Sequence, residues 1–264
     1  MIRLGLTNQL IHLPLTAGLT SGQIPHSFKI VHQNPRKNCQ DLLSGRLDVA
    51  LLSPLEYMRH SGQLEIFHQW SVFSKGASAY ALLFFQENLE QISRVVMEVD
   101  DSFYSHFARI ALQEIYQLTP EWQVTSLEQD LEIELGLHET IFLEQERALR
   151  EAVLRENCLD LIQEWCEQMD ATLTHLVFCK LRDHRIALDL TPLQLSLNYG
   201  LRNLMKLVQK ATGGGEIPWH FLFDLLQQNY AFTPTAEEWD DLNELMRYFY
   251  YLGRVEHISD LHLI

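Results

Sequence analysis

The chain has 264 residues, enough for one two-lobed protein or two small domains with a substantial core. Hydrophobic residues make up 47% and charged residues 21%, which is typical of a globular protein and excludes a disordered one. The formal net charge of −15 argues against a nucleic-acid partner, because phosphate binding needs a basic surface.

The N-terminal stretch MIRLGLTNQLIHLPL is apolar in part, but Arg3, Asn8, Gln9 and His12 interrupt any signal-peptide core. No apolar run has the length that a bilayer-spanning helix needs. The four cysteines form no CxxC pair, so we expect free thiols in a reducing compartment. These features predict a cytoplasmic protein without a membrane partner.

The first sixty residues alternate between strands and helices. IRLGLT, SFKIVHQ and LDVALL have the pattern of strands, and a helix in RKNCQDLLSG ends at Gly45. LDVALL is apolar on both faces, as in a parallel sheet that helices cover on each side. This order predicts a doubly wound α/β lobe.

A second alternating unit follows, and the chain then becomes helical. Its predicted strands are short and apolar: YALLFF, RVVMEV, the start of ETIFLEQERALREAVL, and THLVFCK. The segment DDSFYSHFARIALQEIYQL has helical spacing, and from residue 191 the pattern is almost entirely helical. Thr235 and Glu238 predict a capping box at the start of the last helix.

We interpret this order as two lobes. Lobe one is predicted to contain residues 1–85 and 178–264, and lobe two residues 86–177, so that the chain leaves the first lobe and returns to it. A two-lobed shape of this kind places a ligand in the cleft between the lobes.

Ser53 and Pro54 end the third predicted strand with the two residues that favour the start of a helix. Serine is preferred at the N-cap and proline at the first helical position. The unpaired N–H groups of the first turn would then face the crevice at the carboxyl end of the strand, where α/β sheets bind ligands, and would favour an anion. An ordinary helix cap without a ligand is the alternative.

Two other segments carry hydroxyls at similar places. In VDDSFYS, Asp101 or Ser102 is the predicted cap and Ser105 follows one turn later, so both serines could hold a carboxylate. In FSKGASAY, Ser74 and Gly76 stand in a small-residue turn just before a strand, where a backbone can approach a ligand closely. A structural turn or cap is the alternative at each segment.

Known catalytic and metal-binding patterns are absent from the sequence. TGGGE lacks the Lys-Ser/Thr of a phosphate loop, and the histidines never take the HExxH spacing. No Ser/His/Asp or Cys/His set can be assembled from spacing alone. We therefore predict no metal ion and no cofactor.

Several segments in this order resemble the menaquinone-biosynthesis chorismate dehydratase family of the futalosine pathway. The resemblance is carried to about residue 180 by RLGLTNQLIHLPL, LLSGRLDVALLSPLEY, FSKGASAYALLFF, VDDSFYSHFARIALQEIYQLTPEW, LDLIQEW and TLTHLVFCK. LNELMRYFYYLGRV is similar to the family's closing helix. The resemblance implies an α/β, two-lobed, type 2 periplasmic-binding-protein-like fold in a cytoplasmic protein, with an inter-lobe cleft and a helical C-terminal region.

The resemblance also implies a reaction: removal of water from chorismate to give a carboxyvinyloxy-benzoate. Such a substrate has two carboxylates, so the expected partner is a small dicarboxylate, and we leave a homodimer open. The expected substrate contacts are Asn8, Ser53, Ser74, Gly76, Tyr80, Ser102, Ser105 and Thr174. The general base is not identified by the sequence.

The chain departs from the family pattern in the expected cleft. The family's asparagine falls on Ile11, its serine after the glycine turn falls on Tyr80, and a usual Gly-Asp pair appears as Gln145-Glu146. These departures keep a second hypothesis open, a non-catalytic carboxylate-binding or regulatory protein on the same scaffold. A third, a naphthoate-forming enzyme, would need a basic residue in the cleft, for which His175 is the candidate.

Overall fold

The structure, a computed structural model, describes residues 1–86, 89, 91–128, 130–155, 157–183, 189–257 and 260–264. Two mixed β-sheets form the framework, and helices cover them. All eight predicted contact residues lie within the described ranges. No helix in these ranges combines the length and the apolar character that crossing a bilayer requires.

The first sheet has six strands in the order β11-β4-β10-β3-β1-β2. In chain order these strands are β1 Arg3–Leu6, β2 Lys29–His32, β3 Val49–Leu52, β4 Leu64–Ser74, β10 Leu173–Leu181 and β11 Tyr230–Ala231. β1 pairs in parallel with β2 and β3, whereas β10 runs antiparallel to β3 and β4. β3 is buried along its whole length, as its two apolar faces predict.

The second sheet has five strands in the order β7-β6-β8-β5-β9. In chain order they are β5 Ala81–Phe85, β6 Arg94–Met97, β7 Glu121–Val124, β8 Thr140–Glu144 and β9 Cys158–Asp160. β6 is parallel to β7 and β8, and β5 is antiparallel to β8 and β9.

The helices lie between the strands and, after β10, form a helical C-terminal region. They are a 3-10 helix Leu10–His12, α1 Leu13–Thr20, α2 Pro35–Leu43, α3 Pro54–Arg59, α4 Phe103–Tyr116, α5 Leu131–Leu137, α6 Gln145–Ala152, α7 Leu161–Met169, α8 Thr191–Arg202, α9 Leu204–Thr212, α10 Trp219–Gln228 and α11 Ala236–Tyr251. The helical pattern predicted from residue 191 is confirmed, and Asn203 separates α8 from α9. The capping box of Thr235 and Glu238 is confirmed.

Sheet membership differs from the predicted lobe boundaries by one strand at each crossing. The prediction put residues 81–85 in lobe one, but β5 is hydrogen-bonded into the second sheet. It also divided residues 173–181 between the lobes, but β10 lies wholly in the first sheet. The chain therefore crosses after β4 and returns before β10, because each of these strands finds its hydrogen-bonding partners in one sheet only.

Helices α1 and α8 approach each other closely at small residues. A Cβ at Gly200 would lie 1.8 Å from the carbonyl oxygen of Pro14, and a Cβ at Gly18 would lie 2.9 Å from the Cα of Ser196. Pro14 and Gly18 of α1 are four residues apart, as are Ser196 and Gly200 of α8, so each pair shares one helix face. The absence of a side chain at Gly200 therefore sets how closely the helices pack.

We expect Gly200→Ala to lower the free energy of unfolding by at least about 2 kcal/mol, because the added methyl forces the two backbones apart. Urea denaturation would measure the loss. Gly136→Ala is the matched control, since open space surrounds that glycine within α5. The control should be neutral or stabilising by up to about 1 kcal/mol. Equal stability of the Gly200 variant and the unaltered protein would contradict the close approach.

Candidate functional site

A cavity of about 270 Å³ lies where the ends of the two sheets face each other. Elements of the first sheet contribute Gln9, Asn34, Pro35, Arg36, Ser53, Leu55, Glu56, His175 and Leu176 to its wall. Elements of the second sheet contribute Val99, Asp101, Ser102, Phe103, Tyr104, Glu144 and Gln145. The cavity therefore occupies the position that the sequence predicts for a ligand cleft.

The N-caps of four helices line this cavity. They are Asn34 of α2, Ser53 of α3, Ser102 of α4 and Glu144 of α6. Three of the four side chains accept a hydrogen bond from their own helix: Asn34 from the N–H of Lys37, Ser53 from that of Glu56, and Ser102 from that of Ser105. Because helix N-termini carry partial positive charge, their convergence favours an anionic ligand.

Glu144 is the titratable group best placed for chemistry in the cavity. Desolvation of its carboxyl raises the pKa of Glu144 to about 7, against the hydrogen bonds from Ser102 and Gln145 that lower it. Ser102 donates its hydroxyl to one carboxylate oxygen, and the Gln145 amide donates to the other at 3.0 Å. A carboxyl with this pKa can give or take a proton near neutral pH.

Gln145 joins the two sides of the cleft. It adopts the left-handed conformation, with a φ of 57°, which strains a residue that is not glycine. Its side-chain oxygen accepts a hydrogen bond from the Gln9 amide at 3.1 Å. Beside it, Glu146 accepts from the backbone N–H of Leu10 at 2.9 Å and from the Tyr80 hydroxyl at 2.5 Å. The strained position is thus held by bonds to both sides of the cleft.

His175 lies in the cavity wall as a neutral ring. Burial lowers the pKa of His175 to about 3. Its Nδ1 is 2.9 Å from the Tyr104 hydroxyl and its Nε2 is 3.0 Å from the Ser74 hydroxyl, so both ring nitrogens are engaged. A neutral ring with both nitrogens occupied is a poor base, and His175 does not match what the naphthoate-forming hypothesis requires.

Asp101 forms an ionic network across the cleft. Its carboxylate accepts from Arg36 at 3.4 Å, from Arg59 at 3.3 Å, and from His106 at 3.1 Å. The hydrogen bond from Arg59 is the main cause that lowers the pKa of Asp101 to about 2. Arg36 is on α2 and Arg59 on α3, whereas Asp101 precedes α4, so the network joins the two sides of the cleft.

Five of the eight predicted contact residues line the cavity or support its wall. Ser53 and Ser102 line the cavity. Three more support the wall from behind. Ser74 contacts His175, Tyr80 contacts Glu146, and Ser105 completes the cap of α4.

The other three predicted contacts lie away from the cavity wall. Asn8 is exposed, while its neighbour Gln9 is buried and reaches the cavity. Gly76 is half-buried in the turn after β4. Thr174 is buried in β10, and its neighbours His175 and Leu176 reach the cavity, at a point where the register of the β10–β4 pairing shifts.

Sequence reasoning missed several wall residues. Asn34 stands before Pro35 at the end of a strand, the same signal that identified Ser53 before Pro54, so it could have been found. Glu144 ends a buried strand just before a helix, where an acidic residue ordinarily serves the helix terminus. Nothing in the local sequence distinguishes it from such a residue.

A larger depression of about 690 Å³ lies elsewhere, lined by Phe85, Gln86, Glu132, Leu135, Gly136, Leu154, Arg155 and Asn157. All of these residues belong to the half of the protein built around the second sheet. Its charged side chains Glu132 and Arg155 pair with each other. The cavity between the sheets is the better candidate site, because it combines four helix N-termini with a carboxyl of shifted pKa.

A family model described as menaquinone biosynthesis matches residues 2–251 of the chain. The match covers the strands of both sheets and the helices from α1 to α11. No curated protein matches the chain.

Solved structures with low sequence identity share the fold. The periplasmic aliphatic sulphonate-binding protein SsuA from Escherichia coli is 12% identical with a TM-score of 0.68, over 98% of this chain and 90% of that chain. Protein AF1704 from Archaeoglobus fulgidus is 14% identical with a TM-score of 0.67, over 96% of each chain. The alkanesulfonate-binding SsuA from Xanthomonas axonopodis pv. citri, solved with MOPS, is 12% identical with a TM-score of 0.66, over 100% and 97%. The expected periplasmic-binding-protein-like fold is confirmed.

Proposed function

The chain belongs to the menaquinone-biosynthesis family, and we propose that it is a chorismate dehydratase-like lyase, which removes water from chorismate to give 3-[(1-carboxyvinyl)oxy]benzoate. One observation carries this proposal: Glu144, whose pKa is raised to about 7, lies in an inter-sheet cavity that helix N-termini surround. Membership of a biosynthetic family supports an enzyme, and the cavity supports a small anionic substrate.

The proposed reaction needs one proton to be moved. Ionised Glu144 takes a proton from the ring carbon next to the hydroxyl-bearing carbon, the new ring double bond forms, and the carbon–oxygen bond breaks. Protonated Glu144 then returns the proton to the departing hydroxide, so water leaves and the carboxylate is restored. One carboxyl serves both steps because its pKa lies near neutrality.

The substrate's two carboxylates would be held by the cap region. At the N-termini of α3 and α2, the Ser53 hydroxyl and the Asn34 amide N–H would donate to the carboxylates. Arg36 supplies a guanidinium. Fixing both carboxylates orients the ring against Glu144, and orientation with charge stabilisation is most of what an aromatising elimination requires. The hydroxyl of Ser102, hydrogen-bonded to Glu144, keeps that carboxyl aimed into the cavity.

The test is incubation of the full chain with chorismate. We expect loss of the diene absorbance together with a product lighter by exactly one water molecule, identified by mass spectrometry. Mass detection separates this reaction from the spontaneous rearrangement of chorismate, which leaves the mass unchanged. The proposal fails if no dehydrated product forms under conditions in which an authentic chorismate dehydratase works.

The similarity to two sulphonate-binding proteins supports a second candidate, a non-catalytic protein that binds small carboxylates. Arg36 and Arg59 already bond to Asp101, so a ligand carboxylate would compete with one of the protein's own. Glu56 adds another carboxylate to the wall. A rise in melting temperature with chorismate but without turnover would support this candidate over the lyase.

The remaining parts of the proposal concern the setting of the protein. We propose a small dicarboxylate as its partner and a cytoplasmic location, as the resemblance to the dehydratase family implies. The net charge of −15 supports a partner other than a nucleic acid.

A further inference from the structure

Cys39, Glu56 and His60 bring a thiol, a carboxylate and an imidazole together beside the cavity. The ligand atoms of the three side chains all lie within 4.8 Å of one another. In the described part of the chain this is the one such group of three or more metal-ligating side chains. It does not depend on Glu144 or on the reaction proposed above.

The local fold explains how the three residues meet. Glu56 lies in the first turn of α3 and His60 is its C-cap, so the two are four residues apart and share one helix face. Cys39 comes from the buried face of α2, and its sulfur lies 4.0 Å from the backbone carbonyl oxygen of Glu56. The same i, i+4 spacing places paired metal ligands on one helix in known zinc sites.

We propose that Cys39, Glu56 and His60 form a three-ligand site for a divalent transition-metal ion, with Zn²⁺ as the best match. Sulfur, nitrogen and oxygen donors together suit Zn²⁺ or Co²⁺, whereas Mg²⁺ and Ca²⁺ prefer oxygen donors alone. Three protein ligands leave a fourth tetrahedral position for water or an external ligand.

The charges of the group suit a divalent cation. A Cys39 thiolate and the Glu56 carboxylate would together neutralise the two positive charges of the metal. The imidazole of His60 is half-buried and makes no hydrogen bond to another side chain in the described ranges, so it is available as a neutral ligand. Neutral histidine and deprotonated cysteine are the forms that bind metals.

Two features oppose the metal and set how tightly it binds. Arg59 lies 3.6 Å from a carboxylate oxygen of Glu56, and its positive charge repels a cation. That guanidinium also bonds to Asp101, which keeps part of its charge engaged across the cleft. Burial raises the pKa of the Cys39 thiol to about 12, so binding must expel a proton.

The test is a titration of the chelator-treated full-length protein with Co²⁺, followed by absorbance. We expect a thiolate-to-cobalt charge-transfer band in the near ultraviolet and the strong visible bands of four-coordinate cobalt. Added Zn²⁺ should displace the cobalt and remove both signals. Neither readout depends on turnover of chorismate, so failure of the site and failure of the lyase proposal can be distinguished.

Variants locate the signal. Cys39→Ser should abolish the charge-transfer band, whereas Cys158→Ser, a change at another free thiol, should leave it intact. His60→Gln should weaken cobalt affinity at least about tenfold, because even supporting residues of metal sites cost that much. Its half-buried position makes it the variant with least effect on folding, which circular dichroism would check.

Three results would overturn the site. The first is cobalt binding without a thiolate band, which would indicate other histidines of the chain. The second is a band that persists in Cys39→Ser. The third is an affinity that His60→Gln leaves unchanged.

Discussion

Glu144→Gln is expected to lower kcat by about 10²- to 10⁴-fold, the usual contribution of a general acid–base residue. The substitution keeps the size of the side chain and its ability to accept the Ser102 hydroxyl, but it removes the group that carries the proton. Initial rates of chorismate dehydration, followed by mass-resolved product formation, would measure the effect. KM should change far less than kcat, because Glu144 is not proposed to hold a carboxylate.

The pH profile gives an independent measure of the same residue. Since Glu144 must be ionised to take the ring proton, kcat/KM should rise with pH and reach half its plateau near pH 7, the value to which burial raises the pKa. A half-plateau near the ordinary glutamate value of 4.5 would place the active base elsewhere.

Glu139→Gln is the matched control. Glu139 is exposed and immediately precedes β8, whereas Glu144 ends the same strand. Each variant therefore removes one carboxylate, at opposite ends of β8. The Glu139 variant should retain the activity of the unaltered protein. Activity of the Glu144 variant within about tenfold of that of the Glu139 variant would contradict the assigned role, because a proton-transferring residue contributes more than this.

Glu144→Gln is also expected to stabilise the protein at alkaline pH. Because the folded-state pKa of Glu144 lies above the unfolded value, the folded protein holds a proton that the unfolded chain has already lost. The contribution of Glu144 to the free energy of unfolding therefore falls as pH rises from about 4.5 to about 7, and stays constant above that range. A shift of this size corresponds to up to about 3 kcal/mol.

Urea denaturation of both forms at several pH values would test this. Below pH 4.5 the stabilities of Glu144→Gln and the unaltered protein should converge, and at pH 8 the variant should be more stable. Glu139→Gln, which removes an exposed carboxyl at the other end of β8, is measured beside it as the control. A Glu144 variant less stable than the unaltered protein at pH 8 would show that the hydrogen bonds of the carboxylate outweigh its desolvation.

Together these expectations describe a residue that lowers stability and supports function. A second strained feature adjoins it, the left-handed backbone of Gln145. Glycine adopts this conformation without strain, so the glutamine there lowers the free energy of unfolding by about 1 kcal/mol or more. Its side chain bonds to Gln9 across the cleft and to Glu144 beside it.

The parts of the fold that the sequence predicted depend on residues close together in the chain. The apolar faces of β3, the cap of Ser53 before Pro54, and the capping box of Thr235 and Glu238 each involve neighbours within about one helical turn or one strand. The 11-residue strand β4 escaped prediction because the exposed pair His68 and Gln69 interrupts its apolar run.

The sequence by itself therefore determined much of the alternation of strands and helices and the type of fold. Only the tertiary structure decided which capped helix ends meet at the cavity and which carboxyl there has a raised pKa. The pKa of Glu144 depends on desolvation and on a bond from Ser102, 42 residues away in the chain. The network of Asp101 depends on arginines of α2 and α3. Contacts at such separations leave no local pattern, because they form only when the two sheets are brought together.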